Sequence, residues 1–152
     1  MSKQIVVWIP GQPARVTHQS GTRYSNRRTY KTKSLLEWEA RLKEGLEAAK
    51  PKKPLSGPVQ LNVTWGFKAK TKKDIFTYKL TRPDTDNMQK TLKDVMTALG
   101  FWKDDSQVVH ETCKKLWVDL GGTWITHRER SGYRSTKVDP GSVVAINQED
   151  EE

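Results

Sequence analysis

Residues Val59–Phe67 read Val-Gln-Leu-Asn-Val-Thr-Trp-Gly-Phe, with apolar side chains at 59, 61, 63, 65 and 67 and polar or small ones between them. Strict alternation over nine residues predicts a β-strand with one face buried and the other wet, because successive side chains point to opposite faces. Working outward, the pattern changes period. Met88, Leu92, Val95, Met96 and Leu99 recur at helical spacing, which predicts a helix from about Asp86 to Leu99 ended by Gly100, a residue suited to a left-handed cap. Val108–Val118 reads as another strand, and Trp124-Ile125 as a last short one after a turn at Gly121-Gly122. Toward the N-terminus, Leu35, Trp38, Leu42, Leu46 and Ala49 predict a helix that starts at Ser34, with Ser34 and Glu37 as a capping box, and stops at Pro51. Gln4–Pro10 (QIVVWIP) reads as a first strand, whereas residues 11–33 show no apolar period and read as a long loop. The order β, loop, α, β, α, β, β predicts an α/β (α+β) domain with a mixed sheet and two main helices.

The chain has 152 residues, about one domain's worth, with a single cysteine, Cys113, and hence no intrachain disulfide. No stretch approaches the roughly 18 apolar residues that span a membrane, and the N-terminus lacks a signal-peptide pattern. The expectation is a soluble protein of the cytoplasm with no membrane partner. Formal net charge is +9 and the pI about 9.7. Discounting the acidic tail Glu149, Asp150, Glu151 and Glu152 raises the basic excess to +13. A body this basic suits a polyanion, nucleic acid being the usual one, although a surface charged for solubility has the same composition. Two basic stretches stand out. One carries Arg15, Arg23, Arg27, Arg28, Lys31 and Lys33 with Tyr24 and Tyr30 between them; the other carries Lys68, Lys70, Lys72, Lys73 and Lys79. Basic residues interleaved with aromatics can pair with phosphates and stack on bases.

Four aspartates fall where elements begin or end. Asp84 and Asp86 lie at the start of the second predicted helix, and Asp104 and Asp105 lie between that helix and the next strand. Carboxylates brought together from separate element ends make oxygen sites for Mg²⁺, which takes a few carboxylates, keeps several waters and accepts phosphate oxygens. Lys90, one helical turn beyond Asp86, points away from the apolar face and can add positive charge on the same side. Each feature has an ordinary alternative. Asp86 with Gln89 also spells a capping box, Asp104-Asp105-Ser106 is a common turn sequence, and Lys90 with Asp94 spells a surface ion pair. A DNA-binding protein gains nothing electrostatically from an acidic cluster, however, unless a cation sits in it.

Residues 82–109, RPDTDNMQKTLKDVMTALGFWKDDSQVV, carry a longer pattern: R-x-D-x-D-N-x-x-K, a helix with a further Asp, then G-F-x-x-D-D-x-Q-V. This run resembles the signature of the RusA family of Holliday-junction resolvases, closely over 82–109 and more loosely back to the N-terminal strand. The resemblance implies a homodimeric α/β fold with a mixed sheet that hydrolyses four-way DNA junctions with Mg²⁺, for which Mn²⁺ can substitute. It implies Asp84, Asp86 and Asp105 as the essential carboxylates and metal ligands, with Asp104 an additional candidate, and Lys90 as the essential lysine. Arg82 and Asn87 match positions that set the site and hold a phosphate. The resemblance also implies a nuclease domain over residues 1–120, followed by an extension over 121–152 that ends in the acidic tail, and a setting in a bacterial or phage-infected cell. Two other readings stay open: a nuclease for other branched or flapped DNA, and a DNA-binding protein without catalysis.

Overall fold

The computed structural model describes residues 4–16, 21–119 and 121–129. Its main sheet has four strands, β1 (Gln4–Pro10), β4 (Val59–Lys68), β5 (Val108–Val118) and β6 (Gly122–Glu129), in the order β1-β6-β4-β5. A separate hairpin joins β2 (Thr22–Ser25) to β3 (Arg28–Lys31). Two fifteen-residue helices, α1 (Lys33–Glu47) and α2 (Thr85–Leu99), complete the fold. β6 runs antiparallel to both β1 and β4, while β4 and β5 are parallel and joined through α2. The sheet is therefore mixed, as expected. Its last strand lies between β1 and β4, so the folded unit continues past residue 120 to Glu129. The acidic tail lies outside the described residues.

β4 positions everything else. Val59, Leu61, Val63 and Trp65 are fully buried and Phe67 nearly so, packed with Trp38, Leu42 and Leu46 of α1 and Met88, Leu92, Val95 and Met96 of α2. The Trp38 and Trp65 rings lie 6.1 Å apart at a tilt of 51°, a geometry that aromatic pairs favour. The opposite face of β4 is not wet, contrary to the alternation rule. Gln60, Asn62 and Thr64 are buried too, on a strand that has neighbours on both sides. The polar groups there bond to one another: Asn62 Oδ1 accepts from Thr112 Oγ1 at 2.9 Å and from Gln60 Nε2 at 3.5 Å.

Two local expectations are corrected. Residues 22–31 form a hairpin rather than a featureless loop; almost every side chain in it is exposed, so no apolar period marks it. Its turn residues Asn26 and Arg27 both have positive φ, at 50° and 61°, the conformation that tight hairpins require. Helix α1 is capped by Thr32, whose side chain accepts from Leu35 N, and not by Ser34, which lies inside the helix. Residues 76–79 hydrogen-bond along the edge of β5, through Phe76 N to Trp117 O and Lys79 N to Lys115 O, so the second basic stretch ends in extended backbone. Gly100 caps α2 at φ 86°, as its sequence position predicts.

Thr123 is 1% exposed on the core side of β6, and its hydroxyl has no hydrogen-bond partner among the described residues. A buried unsatisfied hydroxyl costs about 1 kcal/mol or more. Thr123→Val, which keeps the shape and removes the hydroxyl, should raise the denaturation midpoint by an amount worth about 1 kcal/mol with an unchanged slope; a lower midpoint would mean that the hydroxyl is satisfied.

Candidate active site

Asp84 is the N-cap residue of α2, but its side chain makes no capping bond; the first turn closes through Met88 N to Asp84 O at 3.1 Å. The helix starts at Thr85, one residue before the expected start, so Asp86 lies inside the first turn. The Asp86–Gln89 capping box is therefore not formed. Gln89 is buried and turned inward, accepting from Trp65 Nε1 at 2.9 Å and donating to Glu111 Oε2 at 3.2 Å. Asp84 and Asp86 are exposed, and among the described residues neither is in an ion pair. They stand at the N-terminal end of α2, where the helix dipole is positive. The segment leading into them is held from below, since Lys115 Nζ donates to Thr81 O at 2.7 Å and to Pro83 O at 2.8 Å.

The acidic residues border two clefts. Asp86 lines one of about 280 Å³ with Thr85, Gln89, Lys93, Glu111 and Cys113, in which Lys93 pairs with Glu111 at 3.3 Å. Asp94, Asp104 and Asp105 line another of about 390 Å³ with Thr97 and Lys103. Lys90 donates to Asp94 at 2.9 Å and also feels the charge of Asp105. The hydrogen bond to Asp94, then the charges of Asp94 and Asp105, raise the Lys90 pKa above its usual 10.5. The ammonium therefore stays charged through neutral pH, and any stability it adds is lost only as pH rises beyond that value. Asp104 caps the turn before β5, accepting from Ser106 N at 2.9 Å, while Gln107 reaches back to the amides of Lys103 and Asp104. The Ser106 amide holds the Asp104 carboxyl below the usual range. The turn reading of Asp104 thus holds.

Among the described residues, no three of the His, Cys, Asp and Glu side chains close on one point as a ready-made metal cage, so Asp84, Asp86 and Asp105 do not meet there. The donors that border the clefts fit Mg²⁺ in kind. They are mainly carboxylate oxygens, and Mg²⁺ needs only one or two carboxylates beside water and phosphate oxygens.

The basic residues separate into different surroundings. Lys31 is committed to Glu39 of α1, at 2.8 and 3.1 Å to its two oxygens. Lys33 faces Glu37 at 3.8 Å. Arg23, Arg27 and Arg28 are exposed on the hairpin, Lys68 ends β4, and Lys72 and Lys73 sit on a single 3-10 turn. Arg15, Lys70 and Arg82, distant in sequence, meet in one pocket with Lys79 and Trp117. The sequence did not single out Lys79, Trp117, Glu111 or Gln89 for the site. The available signal for Lys79 was only its place as the last lysine of the second basic stretch.

A family model described as Endodeoxyribonuclease RusA matches residues 10–127, which includes every strand and helix after β1 up to most of β6. The chain belongs to the RusA endodeoxyribonuclease family. Among its curated relatives, a protein of Lactococcus phage r1t named crossover junction endodeoxyribonuclease rusA is 42% identical over 77 residues, which is 49% of this chain and 59% of that protein. Proteins of the same name from Escherichia coli strain K12 and Enterobacteria phage 82 are each 49% identical over 41 residues, 27% of this chain and 34% of theirs. The matched stretches thus span between about a third and three fifths of those relatives' lengths. No helix among the described residues is long and apolar enough to cross a membrane.

Cys113 opens onto the Asp86 cleft of this RusA-family chain, so a role as nucleophile has to be considered. Burial pushes its thiol pKa up to about 12, only partly opposed by a hydrogen bond with Trp65. Thiolate, the reactive form, is thus scarce at neutral pH. A thiol reagent at pH 8 should label native protein orders of magnitude more slowly than urea-unfolded protein, with labelling rising steadily as pH approaches 12. Equal rates in the two states would show a normal thiol.

Proposed function

We propose that this protein is a metal-dependent endodeoxyribonuclease that cuts four-way DNA junctions. The observation that carries the reading is the pairing of family membership across residues 10–127 with two uncommitted carboxylates, Asp84 and Asp86, on the helix that also presents Lys90. The carboxylates that would hold Mg²⁺ or Mn²⁺ are Asp84 and Asp86 at the start of α2 and Asp105 at the turn before β5, with Asp104 an additional candidate. When bound, such an ion acidifies a water and neutralises charge on phosphate oxygens. The protein supplies the rest. Lys90, its charge secured by Asp94, stabilises the negative charge that builds on the phosphate during attack. Arg82, exposed two residues before Asp84, contacts the backbone phosphate. Asp94 acts on Lys90 as a positioning residue. The basic surface draws in the DNA, and its contacts give an affinity that falls with salt.

A homodimer is the assembly that this substrate favours. Resolution takes two symmetric nicks on opposed strands, and a two-fold dimer offers two identical sites to a substrate of matching symmetry.

Asp86→Asn separates catalysis from binding. The side chain is exposed and in no ion pair among the described residues, so folding should change by less than about 0.5 kcal/mol. Junction cleavage in Mg²⁺ should fall more than about a hundredfold, the scale set by disturbing a metal site. Binding, measured in chelator, should match the parent. If cleavage survives, Asp86 is not in the metal site.

A further inference from the structure

Lys79 is the one lysine among the buried polar and charged residues of the described chain, 5% exposed. Its ammonium lies 5.1 Å from the Phe67 ring centre and 4.6 Å from that of Trp117, and donates to Thr81 Oγ1. Rings and a hydroxyl orient a cation, yet none supplies a full negative charge, and a buried charge is costly without one. No carboxylate pairs with Lys79 among the described residues. The nearby charges are alike in sign: Lys115, Arg15 and Lys70 add to burial in lowering its pKa.

Lys79 forms the floor of a pocket of about 450 Å³ whose rim carries Arg15, Lys70 and Arg82. Four cations face a single carboxylate, Asp74, and one oxygen of that carboxylate already accepts from Thr71 Oγ1 at 2.7 Å. The rim comes from three separate segments, so the convergence is a product of the fold. Thr81, which receives the Lys79 bond, also gives its carbonyl to Lys115, the residue that pins the segment entering Asp84. Arg82 stands two residues before Asp84, at most roughly 7 Å along the chain.

We infer that the Arg15–Lys70–Lys79–Arg82 pocket binds a phosphodiester of the DNA strand beside the one presented to the acidic segment, and so sets the strand's register. The inference rests on the nuclease reading above and adds a site to it. The anion supplies the charge that Lys79 lacks, the flexible rim cations close on it, and Trp117 offers an aromatic surface at the pocket wall. A free phosphate has the same chemistry but no strand attached, so the two sources are separable.

The test is a salt titration of four-way-junction binding by the full chain in chelator, where cleavage cannot intervene. Lys79→Met keeps the stem between Phe67 and Trp117; Lys70→Gln changes an exposed rim residue and leaves folding unaffected; Lys52→Gln removes the same charge from the linker before β4. Lys79→Met and Lys70→Gln should each weaken binding at fixed salt and reduce the magnitude of the salt slope by up to about 0.7–0.9, the loss of one phosphate contact. Lys52→Gln should change neither. Unchanged slopes in Lys70→Gln and in folded Lys79→Met overturn the pocket while junction binding by the parent leaves the nuclease reading standing. A parent that binds no junction overturns both. Inorganic phosphate that occupies the pocket at constant ionic strength without competing against DNA also overturns it, since the pocket is then a free-anion site.

Discussion

The hydrogen bond from Trp65 Nε1 to Gln89 Oε1 fixes how the second helix sits on the sheet. Trp65 is fully buried on the central strand, and its indole N–H must find an acceptor there, since leaving it bare is costly. Gln89 meets that need only if α2 is rotated so that Met88, Leu92, Val95 and Met96 face the sheet. The rotation in turn leaves Asp86, Lys90 and Asp94 on the opposite side. Gln89 then continues to Glu111 and Glu111 to Lys93, so a chain of polar contacts runs from the core to the cleft that Asp86 borders.

The same placement decides the electrostatics. Asp84 and Asp86 at one helix start and Asp104 and Asp105 at one turn bring negative charge to a basic chain, and Lys90, bonded to Asp94, also feels the charge of Asp105. Lys115 ties the entering segment to β5 through two carbonyls, and Lys79 fills the space beside it. Acidic segment and cationic pocket are therefore adjacent parts of one surface, in which negative groups suit a metal and positive groups suit the phosphates that surround it.

Much of this was legible in the sequence because burial imposes period. β4, β5 and α2 emerge with nearly their observed bounds, and Gly100 marks a helix end that needs a left-handed residue. Elements without a buried face left no such trace. The 22–31 hairpin is exposed throughout and turns on Asn26-Arg27 in place of the usual Asn-Gly. Capping was ambiguous where several candidates stood close together: Thr32 displaced Ser34, and Gln89 served the core instead of Asp86. The site was legible as residue types in order, with Asp84, Asp86, Lys90 and Asp105 at informative spacing. Partnerships across elements were not, because nothing local ties Lys79 to Arg15 or Gln89 to Trp65.

The central claim is that the acidic segment directs DNA cleavage at a junction. Its most direct test is to incubate the protein with a synthetic four-way junction, a flap and a matched linear duplex, each with Mg²⁺ and with chelator. The account predicts paired symmetric nicks in the junction, only with Mg²⁺, and an intact duplex. Cutting of duplex at the same rate as junction, or cutting that persists in chelator, would contradict it.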